Sequence, residues 1–374
     1  MRRVALATVA HDGLRSALLV VGMASAWTLV TVQIGLGLGF DASSRAIVDH
    51  AGGDVWVFAR GTRVVDDGEM LGASAGRHAR AHPCVRAARP IVVDYTQARR
   101  PDRSLVTAQI VAVDAASRAR VPWQLVRGDR YELGRASAVA VDLDDAERLG
   151  LASEPVGAKL RLRVGELDVR AATRGARPFT QTPYLFMDIA TARRLLGLAE
   201  GAATYWALDL NSPSCERAVI AHIERDPDLG AAPREEVARR TAAHWVDSSG
   251  IGALLSAGSA LAAVVAGAIL VQSIVTMVRT HARELATVRV LGASRRELAA
   301  YVAWQVGVIA AAAGLLALGG ATAVASALRS SGLPVVVDAR SWLVGALAAV
   351  ASTAAAALVG AAVLGRIDPR KVLG

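Results

Sequence analysis

Four stretches of this 374-residue chain contain no Asp, Glu, Lys, Arg or His: Ser16–Phe40, Ser248–Val278, Leu298–Leu328 and Ser341–Gly365. A charge at the centre of a membrane helix costs about 2.5–3.5 kcal/mol, and roughly 20 apolar residues cross the hydrocarbon. Each run is long enough, so the pattern predicts four spans. The first run begins like a secretory leader, with Ala24-Ser25-Ala26 resembling a cleavage site. It continues apolar to Phe40, past where a leader's hydrophobic region stops, and therefore reads as a retained span.

The net charge of +9 would suit a nucleic-acid partner only if it were gathered on a soluble face. It is not. Between Asp41 and Asp247 there are 29 basic and 28 acidic residues, against 13 basic and 5 acidic in the rest of the chain. The excess sits beside the spans, which predicts membrane lipid and no nucleic acid as a partner. Arg2, Arg3 and Arg15, then Arg279, Arg283, Arg289, Arg295 and Arg296, then Arg366, Arg370 and Lys371 all fall on one side of a four-span chain. The positive-inside rule makes that side cytoplasmic, with both termini.

The expected layout is a cytoplasmic interfacial helix at 1–15 and spans at 16–40, 248–278, 298–328 and 341–365. A large outer α+β domain with its stalk occupies 41–247, and a basic cytoplasmic loop 279–297. A short outer loop lies at 329–340 and a cytoplasmic tail at 366–374. The glycines of Gly35-Leu36-Gly37-Leu38-Gly39 predict a flexible exit from the first span. In the outer domain, residues 54–58, 109–113, 138–141, 184–187 and 205–208 read as strands, and Leu160, Leu162 and Val164 alternate with arginines as a half-buried strand. Helices are expected at 188–196, capped by Asp188, and at 214–225. Gly61, Gly68, Gly72 and Gly76 mark an irregular stretch. A polar stalk helix at 233–246 has no breaker before the second span, with Gly250 and Gly252 able to flex the join. An oxidising compartment permits a bridge between Cys84 and Cys215; the sequence leaves open whether they meet.

The basic loop has its own pattern. Leu285, Val288 and Leu291 share one face of a short helix, Gly292 follows at the position of a C-terminal cap, and Ser294 with Glu297 forms a capping box for the next helix. In the fourth span Gly345, Ala349, Thr353, Ala357 and Ala361 recur at four-residue spacing, a stripe that lets helices approach closely. The chain's lysines, Lys159 and Lys371, lack the preceding glycine of a phosphate-binding loop. His78 and His82 have no carboxylate between them, and no Gly-x-Ser-x-Gly occurs. No catalytic, cofactor or metal residue is assigned.

One span, a large outer domain and three further spans resemble the MacB/FtsX-like permease subunits of ABC transporters. The likeness is sharpest from Arg283 through Glu284, Leu285, Val288, Arg289, Leu291 and Gly292 to Ser294, and in the tail Asp368-Pro369. Residues Thr173-Arg174-Gly175 to Pro183-Tyr184-Leu185-Phe186 resemble the DevC-like branch. The resemblance implies an integral membrane α-helical fold with an extracytoplasmic MacB-like core, and an FtsX-like permease domain at 248–374. It implies a bacterial cytoplasmic-membrane protein that hydrolyses no ATP, pairs as a homodimer and docks on a cytoplasmic ABC ATPase through 283–294. An extracytoplasmic adaptor of the membrane fusion type is common in that branch. The role implied is efflux or export; the alternative is an FtsX-like signalling subunit that activates a cell-wall enzyme or sensor without moving cargo.

A reporter enzyme inserted between Arg283 and Ser294 is expected to be active only on the cytoplasmic side. Activity on the outer face would reverse the topology.

Overall fold

Helix α1 runs without interruption from Gly13 to Ala51 in the computed structural model, which describes residues 13–117, 119–178, 180–248, 250–280, 287, 290 and 292–365. The chain forms two units, Met1–Gly39 with Ala253–Gly374, and Phe40–Gly252.

The first unit is helical. It comprises the start of α1, most of α6 (Ile251–Thr280), and α7 (Arg295–Ser330) and α8 (Ala339–Gly365). All four helices are long and apolar enough to cross a membrane. Met23, Ala24 and Trp27 of α1 pack against Leu298, Tyr301, Val306, Ile309, Ala313 and Ala317 of α7. These α7 positions recur at spacings of three to five residues, which keeps them near one face of a helix. The expected flexible exit at Gly35–Gly39 is instead regular helix. Gly35 and Gly39 serve close approach: Val336 N donates to Gly35 O at 3.0 Å. A Cβ on Gly39 would lie 2.0 Å from the backbone oxygen of Pro334.

The second unit is built on a ten-stranded sheet. Its strands are β1 (Val55–Ala59), β2 (Val85–Arg99), β3 (Leu105–Val113), β4 (Leu125–Arg127), β5 (Ala138–Asp142), β6 (Lys159–Leu162), β7 (Gly165–Thr173), β8 (Tyr184–Asp188), β9 (Tyr205–Leu210) and β10 (Leu229–Pro233). The order is β10-β1-β9-β2-β3-β8-β5-β7-β4, and β6 pairs with both β7 and β2. The Ala98–Leu162 bridge closes β2, β3, β8, β5, β7 and β6 into a ring. Side chains from all six, among them Val92, Ile110, Val139, Leu160, Val169 and Leu185, form one core cluster.

Strand β1 is buried on both faces. Trp56 and Phe58 pack with Ala46, Ile47, Val48 and Ala51 of α1 and with Val237 and Ala238 of α5 (Arg234–Ser248). Val55 and Val57 pack with Ala75 and Ala79 of α2 (Ala73–Arg80) and with Val219 and Ile223 of α4 (Glu216–Ile223). Helix α3 (Ile189–Leu196) is capped as expected, the Asp188 carboxylate accepting from Ala190 N at 2.8 Å.

Several expectations change. Alternation through Val164 does not continue the strand: β6 stops at Leu162, and the chain turns through Arg163 and exposed Val164 into β7. The helix expected at 214–225 is shorter, preceded by a 3-10 turn at Pro213–Cys215. Gly76 lies inside α2, where a Cβ would strike the Trp206 ring at 2.3 Å. The stalk helix does not run on into the next helix. Gly250, at φ +72°, stands between α5 and α6, a backbone region that favours glycine. Cys84 and Cys215 are bonded, with Cα atoms 6.0 Å apart. Beside them His78 and His222 stack at 4.4 Å, each ring Nε2 donating to the other residue's carbonyl at 3.1 Å.

The bridge spans 131 residues of sequence, and closing so long a loop restricts the unfolded chain. Replacing both cysteines by serine is expected to lower stability by about 2–5 kcal/mol, read from the urea midpoint of tryptophan fluorescence. An unchanged midpoint, with no mobility difference between reduced and non-reduced wild type, would rule the bridge out.

Candidate functional site

Of the residues expected to grip a partner, Arg283, Glu284, Leu285, Val288, Arg289 and Leu291 lie outside the described residues. Gly292 has φ +100°, a backbone region most side chains avoid. Ser294 follows as the N-cap of α7. Its hydroxyl accepts from Glu297 N at 3.3 Å, and the Glu297 carboxylate accepts from Ser294 N at 2.9 Å. Two of the helix's orphan donors are thereby satisfied, and a carboxylate stands at the positive end of the helix. Ala293 packs on the cluster shared by α1 and α7, and Leu298 one turn on is buried. The turn is thus fixed to the helical unit at its α7 end.

The small-residue stripe of α8 lines a groove of about 690 Å³ with α1 and α7. A Cβ on Gly345 would lie 2.8 Å from Thr31 Oγ1. Ala349 packs against the α1–α7 cluster, and Thr353 Oγ1 donates to Ala349 O at 2.6 Å. Ala357 lines the groove farther along, and Ala361 belongs to the next turn of α8. Thr353 satisfies its hydroxyl on its own helix, so this wall is apolar. It suits hydrocarbon.

In the second unit, sequence reasoning missed a clasp centred on Asp66. Its carboxylate accepts from Trp245 Nε1 of α5 at 3.0 Å and from Gln109 Nε2 of β3 at 2.8 Å. Beside it Val65 N donates to Thr241 Oγ1 of α5 at 3.3 Å, and the Tyr205 hydroxyl of β9 donates to Val65 O at 3.0 Å. One loop therefore ties α5 to two strands. Burial raises the Asp66 carboxyl above the usual carboxylate range, against the pull of its two N–H donors. Burial, with Asp66 nearby, pushes the Tyr95 hydroxyl up to about 12. The sequence signal was an Asp-Asp-Gly turn, which names no distant partner. At the other end of α5, Glu235 pairs with Arg45 of α1 at 2.6 Å; this pair is partly exposed and contributes at most about 1 kcal/mol.

A second polar network holds the Thr173–Gly175 segment. Asp142 accepts from Thr173 Oγ1 at 2.9 Å and from Ala176 N at 2.8 Å. Asp145 pairs with Arg148 and Arg177, each at 3.1 Å. Gly175 takes φ +79° between these anchors.

Two family models match this chain: the MacB-like periplasmic core domain at residues 16–225 and the FtsX-like permease C-terminal at 256–369. No curated protein matches it. Among solved structures, the periplasmic region of MacB from Actinobacillus actinomycetemcomitans is 11% identical with a TM-score of 0.38, over 50% of this chain and 92% of that one. The extracellular domain of the noncanonic ABC-type transporter YknZ from Gram-positive bacteria is 8% identical, TM-score 0.35, over 48% and 98%. A domain of a putative permease protein from Porphyromonas gingivalis is 13% identical, TM-score 0.32, over 49% and 89%.

The clasp predicts a pH dependence. A carboxyl raised by burial holds its proton more tightly in the folded chain, so its contribution to stability is full below the usual carboxylate range. It is lost as pH rises through the raised value. Asp66→Asn is expected to remove that part of the slope. Asp66→Ala is expected to cost about 1–3 kcal/mol at neutral pH, by leaving the Trp245 and Gln109 donors unpaired. Urea midpoints across pH 4–8 (roughly the range between acid and histidine titration) measure both; identical slopes in wild type and Asp66→Asn would mean the carboxyl is not enclosed.

Proposed function

The chain belongs to the MacB/FtsX-like permease family, and on that premise we propose that it passes the work of a separate cytoplasmic ATPase to its own outer domain, for efflux or export. The carrying observation is that one chain holds a MacB-like periplasmic core at 16–225 and an FtsX-like permease segment at 256–369. The family assigns it an ABC permease-type role in the cell membrane. In our reading both termini and the loop 279–297 are cytoplasmic, and 283–294 is the handle that the ATPase grips. Two copies pair, and an extracytoplasmic adaptor joins them in the manner of the DevC-like branch.

The outer unit supports the reading because the helices by which the chain enters and leaves it belong to its core. Ala46, Ile47, Val48 and Ala51 of α1 and Val237 and Ala238 of α5 share one buried cluster with Trp56 and Phe58. A displacement of either helix within the unit must strain the sheet or carry it along, since close-packed cores deform little. The groove beside α8 is lined mainly by apolar side chains, in keeping with helices packed in hydrocarbon.

The test is ATP hydrolysis by the co-purified complex. Gly292→Pro forces φ to about −65° where the turn needs a positive value, and is expected to abolish the permease-dependent part of the activity. Glu284→Arg is expected to lower it on the order of tenfold, the loss of one hydrogen-bonded charge contact. Full activity in both variants would move the handle elsewhere.

A further inference from the structure

The β2–β3 hairpin projects from one end of the outer unit, and internal register shows which end. Arg234 N donates to Asp54 O at 2.9 Å, so α5 starts beside the start of β1. Val55 of β1 lies across β9 from Ala88 of β2, both being opposite Leu208. Farther along α5, Trp245 meets Asp66, which also meets Gln109, the register partner of Tyr95 in β2. Helix α5 and strand β2 therefore advance in the same direction. Beyond Tyr95 the strand runs on to Arg99, roughly 13 Å at the usual rise of a strand, and turns at residues 100–104. Beyond Trp245 the helix ends at Ser248, roughly 5 Å on. The hairpin tip thus stands at the end of the unit from which the chain leaves for the apolar helix α6.

The tip is cationic. Arg163 N donates to Gln97 O at 2.8 Å, and Leu162 bridges Ala98, so the β6–β7 turn lies against the hairpin. Segments 97–105 and 159–166 hold Arg99, Arg100, Arg103, Lys159, Arg161 and Arg163 against Asp102 and Glu166, with Glu147 beside Arg100 and Asp168 near Lys159. Arg100 pairs with Asp102 at 3.9 Å, and Lys159 and Arg161 share Glu166 at 2.8 and 3.6 Å. Arg99 and Arg103 make no ion pair among the described residues, and Arg163 reaches the Gln97 amide oxygen at 3.5 Å. Between these cations stand two uncovered apolar side chains, Leu105 at 49% and Val164 at 54% exposure.

We infer that this tip is a landing surface for anionic phospholipid headgroups. Unpaired arginines are drawn to a negative membrane surface over about a Debye length. Leu105 and Val164 supply apolar contact at the headgroup–acyl boundary, the combination of basic and apolar residues found in interfacial segments. An acidic soluble partner would account for the arginines but leaves the two apolar side chains without a role. The inference is independent of whether an ATPase drives the chain.

The test uses the full chain in nanodiscs of phosphatidylcholine alone or of phosphatidylcholine mixed with phosphatidylglycerol, read by hydrogen–deuterium exchange. Peptides covering 97–105 and 159–166 are expected to exchange on the order of tenfold more slowly in the anionic discs, with the difference lost at high salt. The R99Q/R103Q/R163Q variant is expected to abolish the difference while leaving exchange in β1 and β9 unchanged, which shows that the fold is intact. Equal exchange in the two discs overturns the inference, as does protection that survives the triple substitution. Protection that appears only when an extracytoplasmic protein is added assigns the tip to that protein instead.

Discussion

Large apolar side chains that the protein leaves uncovered govern this architecture. Leu315, Leu347 and Leu358 stand 75%, 60% and 72% exposed on α7 and α8. Each would cost about 1.5–3 kcal/mol to hold in water, and the same helices carry many more. A bilayer removes that penalty. Helix is the form the chain takes there because every backbone donor and acceptor inside hydrocarbon must be satisfied within the segment. The small residues of α8 and the glycines of α1 follow from the same setting. Apolar burial between helices is weak where the solvent is also apolar, so close backbone approach replaces it.

The second unit solves a different problem, with a sheet whose strand β1 is covered on both faces. Its connecting helices α1 and α5 form part of one cover, and the Asp66 clasp and the Glu235–Arg45 pair fix α5 at both ends. The polar clasp adds direction to the apolar packing. Trp245 meets Asp66 and Thr241 meets Val65, so the helix has a defined register on the sheet. Gly250, at positive φ, stands between α5 and α6. In the reading proposed above, force enters through the helices and is delivered to the sheet.

Legibility followed the range of the interaction. Strands β1, β5, β8 and β9 and part of β3 are compact apolar runs, and sequence patterning finds them because their burial needs no knowledge of their neighbours. Strand β2, the longest, was missed. Arg89 interrupts its pattern, yet pairs with Asp209 at 2.8 Å and donates to Ala51 O at 2.9 Å. Pro90 sits where β2 passes from its pairing with β9 to its pairing with β3, a place that tolerates a missing donor. Strand β10, Leu-Gly-Ala-Ala-Pro, has almost no intrinsic preference for its form and exists because β1 offers it an edge. The glycines misled in both directions. Gly39 and Gly76 lie in helices because a neighbour presses on them, which a local reading takes for flexibility.

By itself the sequence determined the apolar runs, the nearly neutral domain between them, the Asp188 cap and the Ser294–Glu297 box. Each is decided within a few residues by hydropathy or by a side chain reaching its own backbone. Only the tertiary structure decided that Cys84 meets Cys215 across 131 residues, that Asp66 meets Trp245 across 179, and that the arginines of two separate turns share one tip. Such meetings depend on strand order and register, and those are set by the whole sheet finding its lowest free energy, a quantity no short stretch of the chain contains.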